Sequence, residues 1–271
     1  MDFKDRIVLI TGAGSGLGRR LALDLEAAGC RIAVGDFNED GLRETVSMLK
    51  TPEQDVFWLK SDVTDLEDCR KLVQGTVDKM GGLDIFIPCA GASMWADFLE
   101  IKDLSVFRKM IDINYMGVVN CLHFALPHLI RSRGSLVTIS SFQGVFGIAH
   151  HTAYSASKHA LNGFLGALES EVGDQIHILN VMPAWISGTN LRNNAYQASG
   201  AQGGKVRKHN RPMATVTVED CSRQIIKALR KRKRELFQPK KVGNLRWINA
   251  IFPSFVSALI RHNVRKQHKV K

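Results

Sequence analysis

The chain has 271 residues, 45% of them hydrophobic, and a formal charge of +11 at neutral pH, enough apolar chain for one large domain, with two small ones as the alternative. The five cysteines (Cys30, Cys69, Cys89, Cys121, Cys221) are odd in number, scattered and never in a CxxC spacing, which excludes a disulfide framework and a zinc site and points to a reducing compartment. The charge is local: residues 223–271 hold fifteen Lys and Arg against one Glu, a net +14, while residues 1–222 carry −3, so no nucleic-acid footprint spreads over the whole chain.

In chain order, "MDFKDRIVLITG" runs into strand-like sequence within a few residues and leaves no room for a secretory signal, so a cytoplasmic protein is expected. Ile- and Val-rich runs predict strands near 6–11, 31–35, 55–60, 84–88, 135–140 and 176–181. Between them, helical periodicity predicts helices near 16–29, 38–50, 65–80, 103–130, 152–172 and 218–231. This alternation implies an α/β fold with a doubly wound parallel sheet, whose ligands bind beyond the carboxyl ends of the strands. The organisation expected is one domain over 1–238, in which the Gly-, Asn- and Gln-rich stretch 187–216 forms a lid, and a helical extension over 239–271.

Strand one ends in "TGAGSGLGRR", where Gly12, Gly14, Gly16 and Gly18 lead into a helix. Such a loop is either a tight connection or a phosphate cradle, and its place between a first strand and a helix favours the cradle. Strand two ends in Asp36, eighteen residues beyond Gly18, where a carboxylate can accept bonds from ribose hydroxyls and repel a phosphate. Asp62, after strand three, either faces an adenine edge or caps the next helix beside Thr64 and Asp65. On the helix "TAYSASKHALNGF", Tyr154 and Lys158 lie four apart on one face, after a strand ending in two serines.

Together "TGAGSGLG", "DV" at 62–63, "CAG" at 89–91, Asn114, "ISS" at 139–141 and "YSASK" at 154–158 resemble the short-chain dehydrogenase/reductase family in order and spacing, over roughly residues 5–235. The resemblance implies a Rossmann-like fold, a homodimer or homotetramer, and catalysis by Asn114, Ser141, Tyr154 and Lys158 on an alcohol or ketone substrate. It also implies a nicotinamide dinucleotide held by Gly12, Gly14, Ser15, Gly16, Leu17, Gly18, Asp36, Asp62, Val63, Ala90, Gly91, Tyr154, Lys158, Pro183, Ile186 and Ser187. Asp36 favours NAD over NADP. A phenol is a poor base at neutral pH, and a cation one helical turn away, together with an oxidised nicotinamide, lowers its pKa. Ser141 then holds the substrate oxygen near the phenol, and Asn114 holds a water that contacts Lys158.

The sequence departs from the family pattern at Cys89, where an Asn is usual, and at Ala184, where a Gly is usual. Thr189 comes one residue late, which makes Ser187 the expected phosphate contact. Adjacent His150 and His151 point apart on any regular element, so no metal is expected; they read as solvent-facing loop residues, with substrate contact the alternative. The tail from Arg230 onward offers Leu245, Trp247, Ile248, Ile251, Phe252 and Phe255 among basic residues, with Pro253 between. Two short amphipathic helices lying on an anionic membrane fit this pattern, and a tail folded over the substrate cleft or an oligomer contact is the alternative. The activity expected is NAD(H)-linked interconversion of an alcohol and a carbonyl on a lipophilic substrate such as a steroid, retinoid or long-chain alcohol or ketone. The rival is a catalytically silent dinucleotide sensor that acts through its basic tail.

Overall fold

A sheet covered on both sides needs apolar residues at both parities of its strands, and β1 (Ile7–Thr11) is buried at all five positions. The structure, a computed structural model, describes residues 2–203 and 215–252, together with 254, 255 and 258. After β1 come α1 (Gly16–Ala27), β2 (Arg31–Asp36), α2 (Glu39–Met48), β3 (Phe57–Lys60), α3 (Leu66–Met80) and β4 (Ile85–Pro88). Then follow α4 (Ser105–Ile111), α5 (Gly117–Ser132), β5 (Ser135–Ile139), α6 (Thr152–Val172), β6 (His177–Pro183), β7 (Trp185–Ser187), β8 (Thr215–Thr217), α7 (Val218–Arg230), β9 (Glu235–Gln238) and α8 (Lys240–Ile251).

Seven strands form one parallel sheet in the order β3-β2-β1-β4-β5-β6-β9. Val8 pairs with Ile32 on one side and Ile85 on the other, so the strand order reverses at β1 and opens a crevice beyond its carboxyl end. One face packs Leu21 and Leu25 of α1, Leu42 of α2 and Ile225 of α7; the other packs Leu72 of α3, Leu122 of α5 and Leu161 and Leu165 of α6. Helix starts follow side-chain chemistry: Asn38, Asp65 and Thr217 accept the backbone N–H groups of Gly41, Asp68 and Asp220.

Three features differ from the expectation. The helix predicted over 103–130 is broken into α4 and α5 by a π turn at Asp112–Met116, which lets Asn114 reach inward. Strand β9 emerges from the basic run, because Leu236 fills the core while its exposed flanks keep the charges in water. Two of the scattered cysteines meet, with the Cys69 and Cys121 sulfurs 3.1 Å apart between α3 and α5 as free thiols.

Of the expected lid, residues 187–203 are described, and Tyr196 bridges to Met94 there; 204–214 lie outside the described residues. The first of the two expected tail helices is α8; of the second, residues 254, 255 and 258 are described and are helical, and the rest lies outside the described residues. Helix α8 packs on β9, not over the cleft. Among the described residues, no helix is long and apolar enough to cross a membrane.

Candidate active site

The carboxyl end of β1 turns into α1 through a loop that only glycine can build. Gly12 has φ +68°, and a Cβ there would stand 2.5 Å from the Ala90 nitrogen; a Cβ on Gly18 would stand 2.1 Å from the Gly12 oxygen. Gly14 and Gly16 complete the turn, and Leu17 anchors it in the core. Ser15, at the N-cap, makes no side-chain cap bond, and the first turn of α1 holds no acidic residue. These amides and the positive end of the helix dipole suit an anionic diphosphate.

Asp36 closes the floor of this cradle. Its two carboxylate oxygens accept the Gly14 and Asn38 N–H groups, each at 2.8 Å, so the charge is held in place, nearly buried. Phe37, 70% exposed immediately beyond it, presents an apolar ring that the sequence reading did not single out. Arg19 is engaged beside the loop: it donates to the Gly14 and Gly41 carbonyls, to Thr45 and to Glu44 at 2.7 Å. Asp62 forms a local turn, its Oδ1 accepting the Thr64 N–H and hydroxyl at 2.9 and 2.8 Å, and the cap of α3 is Asp65 instead; Val63 packs where a Cβ on Gly117 would fall. Ala90 donates its N–H to Thr11, and Gly91 faces Asn114.

At the ends of β5 and β6 the expected catalytic groups converge. Tyr154 and Lys158 are buried on α6, with the Lys158 ammonium 5.8 Å from the phenol ring centre. Lys158 donates to the Ile139 carbonyl at 2.9 Å, which ties α6 to the end of β5. Ser141 accepts the Gln143 N–H at 3.0 Å. Burial raises the Tyr154 pKa, and the Ser141 hydroxyl opposes this. Burial also lowers Lys158, from 10.5 to about 8. For the polypeptide alone, desolvation therefore outweighs the cation that the sequence reading relied on to activate the phenol.

Asn114 is fully buried, and its amide is committed: Oδ1 accepts the Ala92 N–H, and Nδ2 donates to the Ala92 carbonyl and to Ser157. Its side chain locks the π turn to the residue before Lys158. Asn162 is a positioning residue missed from sequence. It links Ser140, Asn180 and the Gly144 carbonyl, and its place four residues after Lys158 on the same helix face was a usable signal.

After β6, Pro183 is buried at the strand end and Ile186 packs on the core. Ser187 differs from its expected role. Pairing of β7 with β8 turns its hydroxyl to the Val216 carbonyl at 3.3 Å, while the Thr189 methyl lies 3.3 Å from where a Cβ on Gly16 would stand. Thr189 thus meets the glycine loop through its methyl, while its hydroxyl donates to the Ile186 carbonyl at 3.4 Å. His151 is also not solvent-facing. It is buried, edge-on to Trp95 at 4.8 Å and 6.0 Å from Trp185, and its ring centre is 6.3 Å from that of Tyr154; Trp95 stacks on His150 at 5.1 Å. An aromatic wall therefore stands beside the phenol. Burial pushes the Cys89 thiol up to about 12, which makes it inert as a nucleophile.

A family model described as short chain dehydrogenase matches residues 6–200. The chain belongs to the short-chain dehydrogenase/reductase family. As a short-chain dehydrogenase/reductase it is an oxidoreductase. A Dictyostelium discoideum dehydrogenase/reductase SDR family protein 7-like is 34% identical, over 95% of this chain and 81% of its own. An Arabidopsis thaliana 11-beta-hydroxysteroid dehydrogenase-like 4A is 28% identical, over 95% of this chain and 84% of its own. A short-chain dehydrogenase/reductase from Burkholderia phymatum, solved in complex with NAD, shares the fold with a TM-score of 0.81 at 18% identity, covering 94% of this chain and 96% of its own. One from Burkholderia cenocepacia, solved with NADP, gives a TM-score of 0.79 at 19% identity, over 96% of this chain and 99% of its own.

Proposed function

We propose that this oxidoreductase interconverts a primary or secondary alcohol and its carbonyl compound with NAD(H), on a bulky lipophilic substrate such as a steroid, retinoid or long-chain alcohol or ketone. The observation that carries the reading is the Tyr154 phenol 5.8 Å, ring centre to ammonium, from Lys158, with the Ser141 hydroxyl favouring its ionised form, at the strand ends that also carry the glycine loop. The bound dinucleotide supplies the hydride acceptor or donor. Everything else is done by side chains. Ser141 orients the substrate oxygen and stabilises charge on it; Tyr154 Oη takes the hydroxyl proton in oxidation and returns it in reduction. Lys158, held by the Ile139 carbonyl, presents its Nζ to the phenol, and Asn114 fixes the helix that carries both through Ser157.

Asp36 supports NAD over NADP: its fixed charge suits hydroxyls and repels a phosphate, while Arg19 is tied to Glu44. Trp95, Trp185 and His151 support an apolar, ring-sized substrate, and the name of the Arabidopsis relative agrees with a steroid. The test is Tyr154→Phe, which keeps the ring and removes only the proton-transfer group. A loss of about two to four orders of magnitude in turnover with lipophilic alcohols, at nearly unchanged dinucleotide affinity, is expected. Turnover within about threefold of the parent overturns the assignment.

A further inference from the structure

Helix α8 leaves its apolar side chains unburied at one corner of the molecule. Gly243 lies against the Phe237 ring and Arg246 pairs with Glu235, so α8 starts at the carboxyl end of β9 and runs back along it. Its last turns therefore reach the amino edge of the sheet, opposite the glycine loop and Tyr154. There Trp247 and Ile251 are 64 and 70% exposed, and Phe252 and Phe255, next in the chain, are each 61% exposed. Trp247 and Ile251 share one helix face, with Ile248 beside them.

The same edge carries the turn that feeds β9, "RKRKR" at 230–234, whose Lys231, Arg232 and Lys233 are exposed. The fold thus sets a cluster of cations beside an apolar patch. Glu235 and Glu169, the carboxylates on Arg246 and Arg234, are neutralised by those partners. Arg261, Arg265, Lys266, Lys269 and Lys271 follow in sequence. Aromatic and aliphatic side chains ringed by cations match an interface whose outer layer is anionic and whose inner layer is hydrocarbon. A single-stranded nucleic acid would need aromatics interleaved with the charges, whereas here they lie on a separate helix.

We infer that this corner, the end of α8 with the 230–234 turn, docks the protein peripherally on an anionic lipid surface. The substrate crevice, at the opposite edge, then faces away from the lipid. The turn belongs to the folded domain, so its part in binding distinguishes this surface from a merely sticky tail.

Co-sedimentation of the full chain with phosphatidylcholine vesicles, with and without phosphatidylserine, tests the inference. The parent should pellet with the phosphatidylserine vesicles and progressively less as salt rises. Lys231→Gln/Arg232→Gln/Lys233→Gln should weaken binding by about a hundredfold, at about fivefold per cation. Trp247→Ser/Ile251→Ser/Phe252→Ser should abolish the salt-resistant part of the binding. Neither variant touches the active site, so the alcohol dehydrogenase rate of both should match the parent and report intact folding. The inference is overturned if the parent fails to pellet, or if both variants bind like the parent. It is equally overturned if the parent is retained by single-stranded nucleic acid in place of vesicles, or if the apolar variant only converts a dimer to a monomer.

Discussion

Replacing Asp36 by Asn should move cofactor preference towards NADP by about two to three orders of magnitude in the ratio of kcat/KM values. Asn keeps the shape and one acceptor oxygen for the Gly14 or Asn38 N–H, so it removes the charge without removing the floor of the cradle. The carboxylate is pinned by two 2.8 Å bonds and cannot swing away from a 2′-phosphate. Two like charges about 4 Å apart at an effective dielectric near 20 repel by about 4 kcal/mol, which is about a thousandfold before counterions reduce it. Arg19 offers little relief in the parent, because its Nη2 is shared among the Gly14 carbonyl at 2.5 Å, the Gly41 carbonyl at 3.1 Å and Glu44 at 2.7 Å. Adding Glu44→Gln to Asp36→Asn frees part of that guanidinium, and as an exposed pair it should add no more than about fivefold for NADP. Initial rates with each dinucleotide, at saturating alcohol, give the ratios. A parent that uses NADP as well as NAD, or an Asp36→Asn ratio within about threefold of the parent, refutes the reasoning.

Burial lowers Lys158 from 10.5 to about 8, so between those values the unfolded chain binds the additional proton and stability rises with pH. Urea midpoints of the parent relative to Lys158→Met should climb over that window by the equivalent of about 3 kcal/mol and lose this contribution as pH falls through 8; a flat difference contradicts the burial. Gly18→Ala places a Cβ 2.1 Å from the Gly12 oxygen, backbone that cannot yield without opening the loop. It should cost about 1–3 kcal/mol in urea and weaken dinucleotide binding measured by nucleotide fluorescence, and a parent-like midpoint would show that the loop is looser than this contact implies. Thr189→Val should raise the dinucleotide KM about tenfold, the loss of one hydrogen bond to a charged group, while Ser187→Ala leaves it within about twofold. The reverse order would restore Ser187 as the phosphate contact.

Alternation of Ile- and Val-rich runs with helical periods determined the doubly wound sheet, because a strand buried on both faces and a half-buried helix leave different periods in the chain. Spacing also determined the catalytic helix: Tyr154 and Lys158 are four apart, and helical geometry alone sets them on one face. The glycines of the loop were legible for the same local reason, since only residues without a Cβ fit so close a backbone approach. Tertiary structure decided what depends on residues distant in sequence. Whether Tyr154 gains more from Lys158 than it loses to burial is set by what packs over α6, and desolvation prevailed. The Ser187 hydroxyl meets the Val216 carbonyl because β8, some thirty residues on, pairs with β7. His151 became a buried wall through Trp95, from the loop after β4, and Trp185, from β7. The basic run at 230–234 and the apolar end of α8 read as one continuous tail in the sequence; they become a single surface because a four-residue strand, Glu235–Gln238, joins the sheet between them and the helix folds back along it.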